Sequence, residues 1–300
     1  MKNNKTTGAK NKSVSMIHQY WKTTAMKIHS FLSGKKSLLS PARTMIAALV
    51  LFVALGSTAM AAATSITLDG PASVVAGEVS GLFTVTADGA VSDTTVLTLT
   101  TSDESGTATF NPISVSIVPG EVSATFTYQN TKVGDGTHTI TATQSSGDPV
   151  GFATHAITVN PGALDSFTVT TEHAQNETAG TAFSVTVTAK DANGNTKTDY
   201  TGEKTVAWTT TATGATLPTD GAQTFAAGAV TVAGVTLIHA TETPTITATA
   251  ETKSGTTAAI TVNPGAANKL GLTTAPVGGQ SGKVLATQPV VTIQDAQGNT

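Results

Sequence analysis

The chain has no cysteine, and of its 300 residues only 12% are charged and 5% aromatic. Lack of cysteine excludes a disulfide framework, thiolate chemistry and cysteine-held metals. Arg43 is the only arginine. Sixteen basic and nineteen acidic residues give a formal charge of −3, but nine of the basic ones fall in residues 1–61, which hold no acid. The remainder has seven basic against nineteen acidic residues, near −12. That balance argues against nucleic acid and anionic head groups, whose phosphates need basic neutralisation, and it favours solubility. Strong helix formers are also scarce after residue 61, where Thr, Ala, Val, Ser and Gly dominate.

What is present is an internal repeat. Val159-Asn160-Pro161-Gly162-Ala163 returns 103 residues later as Val262-Asn263-Pro264-Gly265-Ala266. Asp191-Ala192-Asn193-Gly194-Asn195-Thr196 returns after 104 residues as Asp295-Ala296-Gln297-Gly298-Asn299-Thr300, and Thr139–Thr143 returns as Thr245–Thr249. A period near 100 residues is the size of one β-sandwich, and the pentapeptide marks a joint between units.

Within a unit the apolar period is two. In Phe183-Ser184-Val185-Thr186-Val187-Thr188-Ala189 apolar residues occupy odd positions and hydroxyls even ones, which gives one core face and one solvated face. Branched Thr and Val suit a pleated surface. Strands are expected near 166–171, 182–189, 205–211, 222–225, 229–237, 244–249 and 256–262, separated by turns such as Asn193-Gly194 and Ser254-Gly255. Seven short strands of this kind predict a two-sheet antiparallel sandwich. A disordered, glycosylated Thr/Ser stalk would lack this alternation and carry more than 11 prolines. Trp208, the only tryptophan after residue 61, is expected in the second core; a ligand-stacking platform is the other reading.

The resulting division is a signal segment at 1–61, sandwiches at 62–160 and 161–263, and the truncated start of a third at 264–300, so that the sequence reads as part of a longer chain. Residues 1–61 combine a long basic region, the apolar run Met45–Leu55 and the small-residue sites Ala59-Met60-Ala61 or Ala61-Ala62-Ala63. This is the pattern of a cleaved secretory signal, with an uncleaved anchor as the alternative. Met26 would by itself open an ordinary signal. Export places the protein in the secreted or cell-surface compartment, with membrane contact only through this segment or through an anchor beyond Thr300.

No catalytic constellation emerges, and the protein is read as non-enzymatic. His138, His155, His173 and His239 lie far apart without zinc spacing, and most are expected as exposed strand or loop residues. Gly77–Gly81 misplaces the serine of a nucleophile elbow. Gly278–Lys283 lacks the first glycine and the hydroxyl residue of a phosphate loop. The one ligand-like pattern is Asp191-x-Asn193-x-Asn195-x-x-x-Asp199, with oxygen donors spaced as in a calcium loop. It lacks the glycine at position six and the glutamate at position 12, so no metal or other cofactor is assigned. An Asx-stabilised hairpin turn, with Asn193-Gly194 supplying positive φ, is the competing account.

The VNPGA joint, the strand Phe183–Ala189 leading into Asp191-Ala192-Asn193-Gly194-Asn195, and Gln288–Asn299 together resemble bacterial immunoglobulin-like repeats of invasin- and intimin-type surface proteins. The resemblance covers about 64–300. It implies all-β, tandem immunoglobulin-like antiparallel β-sandwiches acting as an adhesin stalk or spacer that projects a distal binding domain. The implied partner is an unidentified protein or carbohydrate on a host, a neighbouring cell or matrix. The alternative is accessory spacers or carbohydrate-binding modules of a large extracellular polysaccharide-active enzyme. A ten-residue strand would make each sandwich about 35–40 Å long.

Overall fold

A computed structural model describes residues 62–134 and 136–300. Both the Ala59-Met60-Ala61 site and the signal segment lie outside the described residues. Ala63 lies within them and is 1% exposed in the first core. Cleavage after Ala63 would therefore strip a core residue, whereas cleavage after Ala61 keeps it.

Alternating Thr and aliphatic residues form strands because each buries its apolar side and solvates its hydroxyl side. In the first repeat these are β1 (Ile66–Asp69), β2 (Ser73–Val75), β3 (Phe83–Ala87), β4 (Thr95–Thr101), β5 (Thr109–Asn111), β6 (Ser114–Ile117), β7 (Ser123–Gln129), β8 (Thr137–Ser146) and β9 (Phe152–Asn160). One sheet has the order β1-β3-β7-β5 and the other β2-β9-β8-β4-β6. Lettered A, A′, B, C, D, C′, E, F and G by position in the sheets, they give ABED facing A′GFCC′, the immunoglobulin sheet order, with the difference that the chain reaches D before C′. Between the sheets Phe83 stacks on Phe126 at 5.2 Å, and Phe110 and Tyr128 extend the aromatic layer.

The second repeat runs through β10 (Leu164–Thr171), β11 (Asn176–Thr178), β12 (Ala182–Asp191), β13 (Gly202–Thr210), β14 (Gly221–Phe225), β15 (Ala229–Thr236), β16 (Ile246–Ala250), β17 (Lys253–Thr256) and β18 (Thr261–Asn263), with no counterpart of β5 and with its last strand divided into β17 and β18. Its sheets are β10-β12-β15 and β14-β13-β16-β17, with β11 paired to β18. Trp208 is 5% exposed in a core with Phe167, Tyr200 and Phe225. The antiparallel ladders are interrupted by one parallel pairing in each repeat, β2 with β9 and β11 with β18. Beyond it, β19 (Lys269–Thr274) and β20 (Val290–Gln294) form an antiparallel pair. No helix occurs among the described residues.

Two local expectations are corrected. The strand expected at 256–262 is split, because Thr257 and Ile260 bond back to Ile246 and Pro244. His138 is 7% exposed rather than solvent-facing; its ring sits under Gly134, where a Cβ would stand 2.6 Å away, with Nε2 3.1 Å from the Val133 carbonyl.

Strand β11 has no apolar residue and is held by a buried acid. Glu177 is 1% exposed; one carboxylate oxygen accepts from the His173 backbone N–H at 3.2 Å and the other meets His173 Nδ1 at 2.7 Å. The hydrogen bond and charge of Glu177 raise the His173 pKa above its usual value. A raised folded pKa contributes stability below the unfolded value of about 6.5, and this is lost as pH rises through the folded value. The second sandwich is therefore expected to lose this contribution as pH rises from about 6.5 through the folded value. An imidazole titration by NMR should give His173 a midpoint above about 6.5 that drops in Glu177→Gln; an ordinary midpoint in the parent would refute the pairing.

Candidate functional site

The strongest site chemistry lies in the two repeated Asp-Ala-x-Gly-Asn loops, one at the end of β12 and the other directly after β20. In the first loop Asp191 is 2% exposed. Its Oδ1 accepts from the N–H groups of Asn193 at 2.9 Å and Asn195 at 2.8 Å. Its Oδ2 accepts from the Gly162 N–H and from Asn195 Nδ2, both at 2.9 Å. Gly162 belongs to the VNPGA pentapeptide, so the carboxylate ties the incoming chain to its own sandwich. Burial acts to raise the Asp191 pKa, but the donors from Asn195, Gly162 and Asn193 outweigh it and hold the carboxyl below its usual range.

Asn195 turns the remaining polar atoms outward. Nδ2 donates to the Thr131 carbonyl at 2.9 Å, and Oδ1 accepts from the Val133 N–H at 3.2 Å. Asn193 Nδ2 donates to the Ala76 carbonyl at 3.1 Å. Thr131, Val133 and Ala76 all belong to the preceding sandwich. Gly77 (φ +87) lies beneath Asn193, and a Cβ there would approach Nδ2 to 2.8 Å.

The second loop repeats the glycine clamp and both contacts of the second asparagine, with three donors on its carboxylate instead of four. Asp295 accepts from the Gly265 N–H, the Asn299 N–H and Asn299 Nδ2, each at 2.8 Å. Asn299 Nδ2 donates to the Ile238 carbonyl at 2.8 Å, and its Oδ1 accepts from the Ala240 N–H at 2.9 Å. Gln297 replaces Asn193 and lies over Gly180 (φ +76). Against the effect of burial, donors from Asn299, Gly265 and Gly298 lower the Asp295 pKa to about 2.

The calcium pattern is only partly assembled. Asp191, Asn193 and Asn195 are together, whereas Asp199 pairs with Lys197 at 3.0 Å on the surface. All four lone-pair sites of the Asp191 carboxylate receive N–H donors, so this donor set does not fit a hard cation that needs free oxygens. The Asx turn is present, but Gly194 alone has positive φ, at +78. Among the described residues no group of three or more His, Cys, Asp or Glu could hold a metal ion.

The sequence pattern gave the loop but missed its receiving side. Thr131-Lys132-Val133 and Ile238-His239-Ala240 share no residue type; they are joined to the loops mainly through backbone atoms, which leave no signature in side chains.

No protein-family model and no curated protein matches the chain. Among solved structures it is similar to FdeC, an Escherichia coli adhesin, at 21% identity, with 80% of this chain and 76% of that one covered and a TM-score of 0.37. It is also similar to the D00-D0 domain of intimin, at 12% identity, 65% and 98% coverage and a TM-score of 0.38. A glycosyl hydrolase family 2 member from Bacteroides cellulosilyticus matches at 14% identity over 63% of this chain but 23% of that one, with a TM-score of 0.29. At these scores the assignment rests on strand order and register: β1 to β18 form two immunoglobulin-like β-sandwiches.

Proposed function

We propose that these sandwiches are non-enzymatic spacers of a secreted or surface-displayed adhesin-type protein, stiffened at their joints so that a distal binding domain is held away from its attachment. The observation that carries this reading is the Asp–Asn loop, which makes the same main-chain bonds to the preceding sandwich at both joints. A freely swivelling linker has no use for a buried carboxylate that locks its own glycine. Each such hydrogen bond contributes about 1 kcal/mol, enough in combination to hold one orientation.

The absence of native cysteine allows clean spin labelling. Labels on Thr98→Cys and Thr209→Cys in the full chain, both exposed strand positions, are expected to give one narrow distance by pulsed electron resonance. A broad, coil-like distribution would defeat the spacer reading. The polysaccharide-enzyme alternative predicts co-sedimentation with insoluble cellulose, chitin or xylan. The spacer reading expects the chain to stay in the supernatant, and retention by any of the three would reassign the sandwiches.

A further inference from the structure

From the bonding of the two loops we infer that Asn195 and Asn299 are sequence-blind hooks. Each docks its sandwich onto the main chain of whatever immunoglobulin-like unit precedes it, without reading that unit's side chains. The inference rests on the spacer reading and concerns how spacers are joined.

A carboxamide carries one acceptor and two donors, the same groups a peptide offers. Asn195 uses them on the carbonyl of residue 131 and the N–H of residue 133, the i and i+2 spacing of a β-bridge, in the segment between β7 and β8. Asn299 does the same with residues 238 and 240. The hook thus pairs like one more rung of a β-ladder. The platform beneath is main chain as well. Gly77 N–H donates to the Asn130 carbonyl and Gly180 N–H to the Leu237 carbonyl, each at 2.8 Å. Asn130 and Leu237 have nothing in common as side chains. The only side chain that reaches across from a receiving segment in these bonds is Lys132, whose Nζ donates to the Asn193 carbonyl at 2.8 Å on an exposed surface. An exposed lysine contact of this kind contributes little.

The first sandwich provides a contrast. Its equivalent acid, Asp88, accepts from the Thr64 N–H at 2.8 Å and Thr64 Oγ1 at 2.6 Å, so the clamp on its own chain is kept. Residues 88–92 (Asp-Gly-Ala-Val-Ser) contain no asparagine or glutamine. The hook is present in the two loops that face a preceding sandwich and has no counterpart in the Asp88 loop. The clamp on the loop's own chain therefore does not require the amide.

The test uses the full chain with the same spin-label pair. Thr131→Ile, Lys132→His and Val133→Ala together convert the first receiving segment into the second. This variant is expected to keep the parent's narrow distance, whereas Asn195→Leu should broaden it about twofold or more as the two bonds that Asn195 makes across the joint vanish. Hydrogen exchange gives an independent readout. The amide of residue 133 should exchange about tenfold faster in Asn195→Leu and remain protected in the triple variant. The reciprocal Ile238→Thr, His239→Lys, Ala240→Val variant, followed at amide 240, serves should the first triple fail to fold. A triple that broadens the distance or loses amide protection as much as Asn195→Leu overturns the inference, as does an Asn195→Leu chain indistinguishable from the parent. A broad parent distribution would instead defeat the spacer reading itself.

Discussion

Replacing Asp191 with alanine is expected to lower the stability of the second sandwich by about 3 kcal/mol, because four N–H donors lose their acceptor in a buried site. The donors come from Gly162, Asn193 and both the backbone and side chain of Asn195. Asp191→Asn should recover less than half of this. It restores shape, but its NH2 group would face N–H groups that need an acceptor. Urea denaturation followed by Trp208 fluorescence, with Trp21→Phe in the background, reports on this sandwich alone. A loss under about 0.5 kcal/mol would show that the carboxylate is not the keystone of the loop. The same group sets an acid limit. Its folded pKa lies below the ordinary value, so its contribution is complete above about pH 4 and disappears as pH falls through the folded pKa.

Gly255→Ala is expected to be at least as damaging, for a steric reason. Gly255 lies on β17 where β10 crosses it, and a Cβ there would overlap the Phe167 carbonyl. The obstacle is main chain in both strands, so no rotamer change can relieve it. The strands must part, opening the core around Phe167, which is 5% exposed. Overpacking of this kind costs about 3 kcal/mol or more when backbone must move. Gly279, with nothing within 4 Å and no positive φ, provides the control. Its alanine variant should melt within about 0.5 kcal/mol of the parent. Equal midpoints for the two variants would show that β10 and β17 do not approach as described.

The strands that alternate Thr with Val, Ile or Phe were legible from sequence, since burial follows the same period as the pleat. Phe183, Val185, Val187 and Ala189 are all 3% exposed or less. Strand β11 was invisible because Asn-Glu-Thr has no apolar period; Glu177 is buried for its bonds to His173 rather than for its hydrophobicity. His138 was misread for a related reason. The space that takes its ring exists only because Gly134 lacks a side chain four residues away. At the joints the loop side of the contact could be read, since it requires Asp, Asn and Gly in fixed order. The other half, on the preceding sandwich, consists of main-chain carbonyls that accept and N–H groups that donate, which every residue but proline carries together, so no comparison of side chains could have located it.

The parallel pairing of A′ with G has a mechanical meaning. Tension along the polypeptide enters the first sandwich ahead of Ser73–Val75 and leaves it past Thr158–Asn160, which run in the same direction side by side. Pulled from opposite ends, such strands slide rather than peel, and the bonds from Ala76 N–H to the Asn160 carbonyl and from Thr158 N–H to the Ala72 carbonyl bear the load at once. The β11–β18 pair repeats this shear latch one sandwich further on.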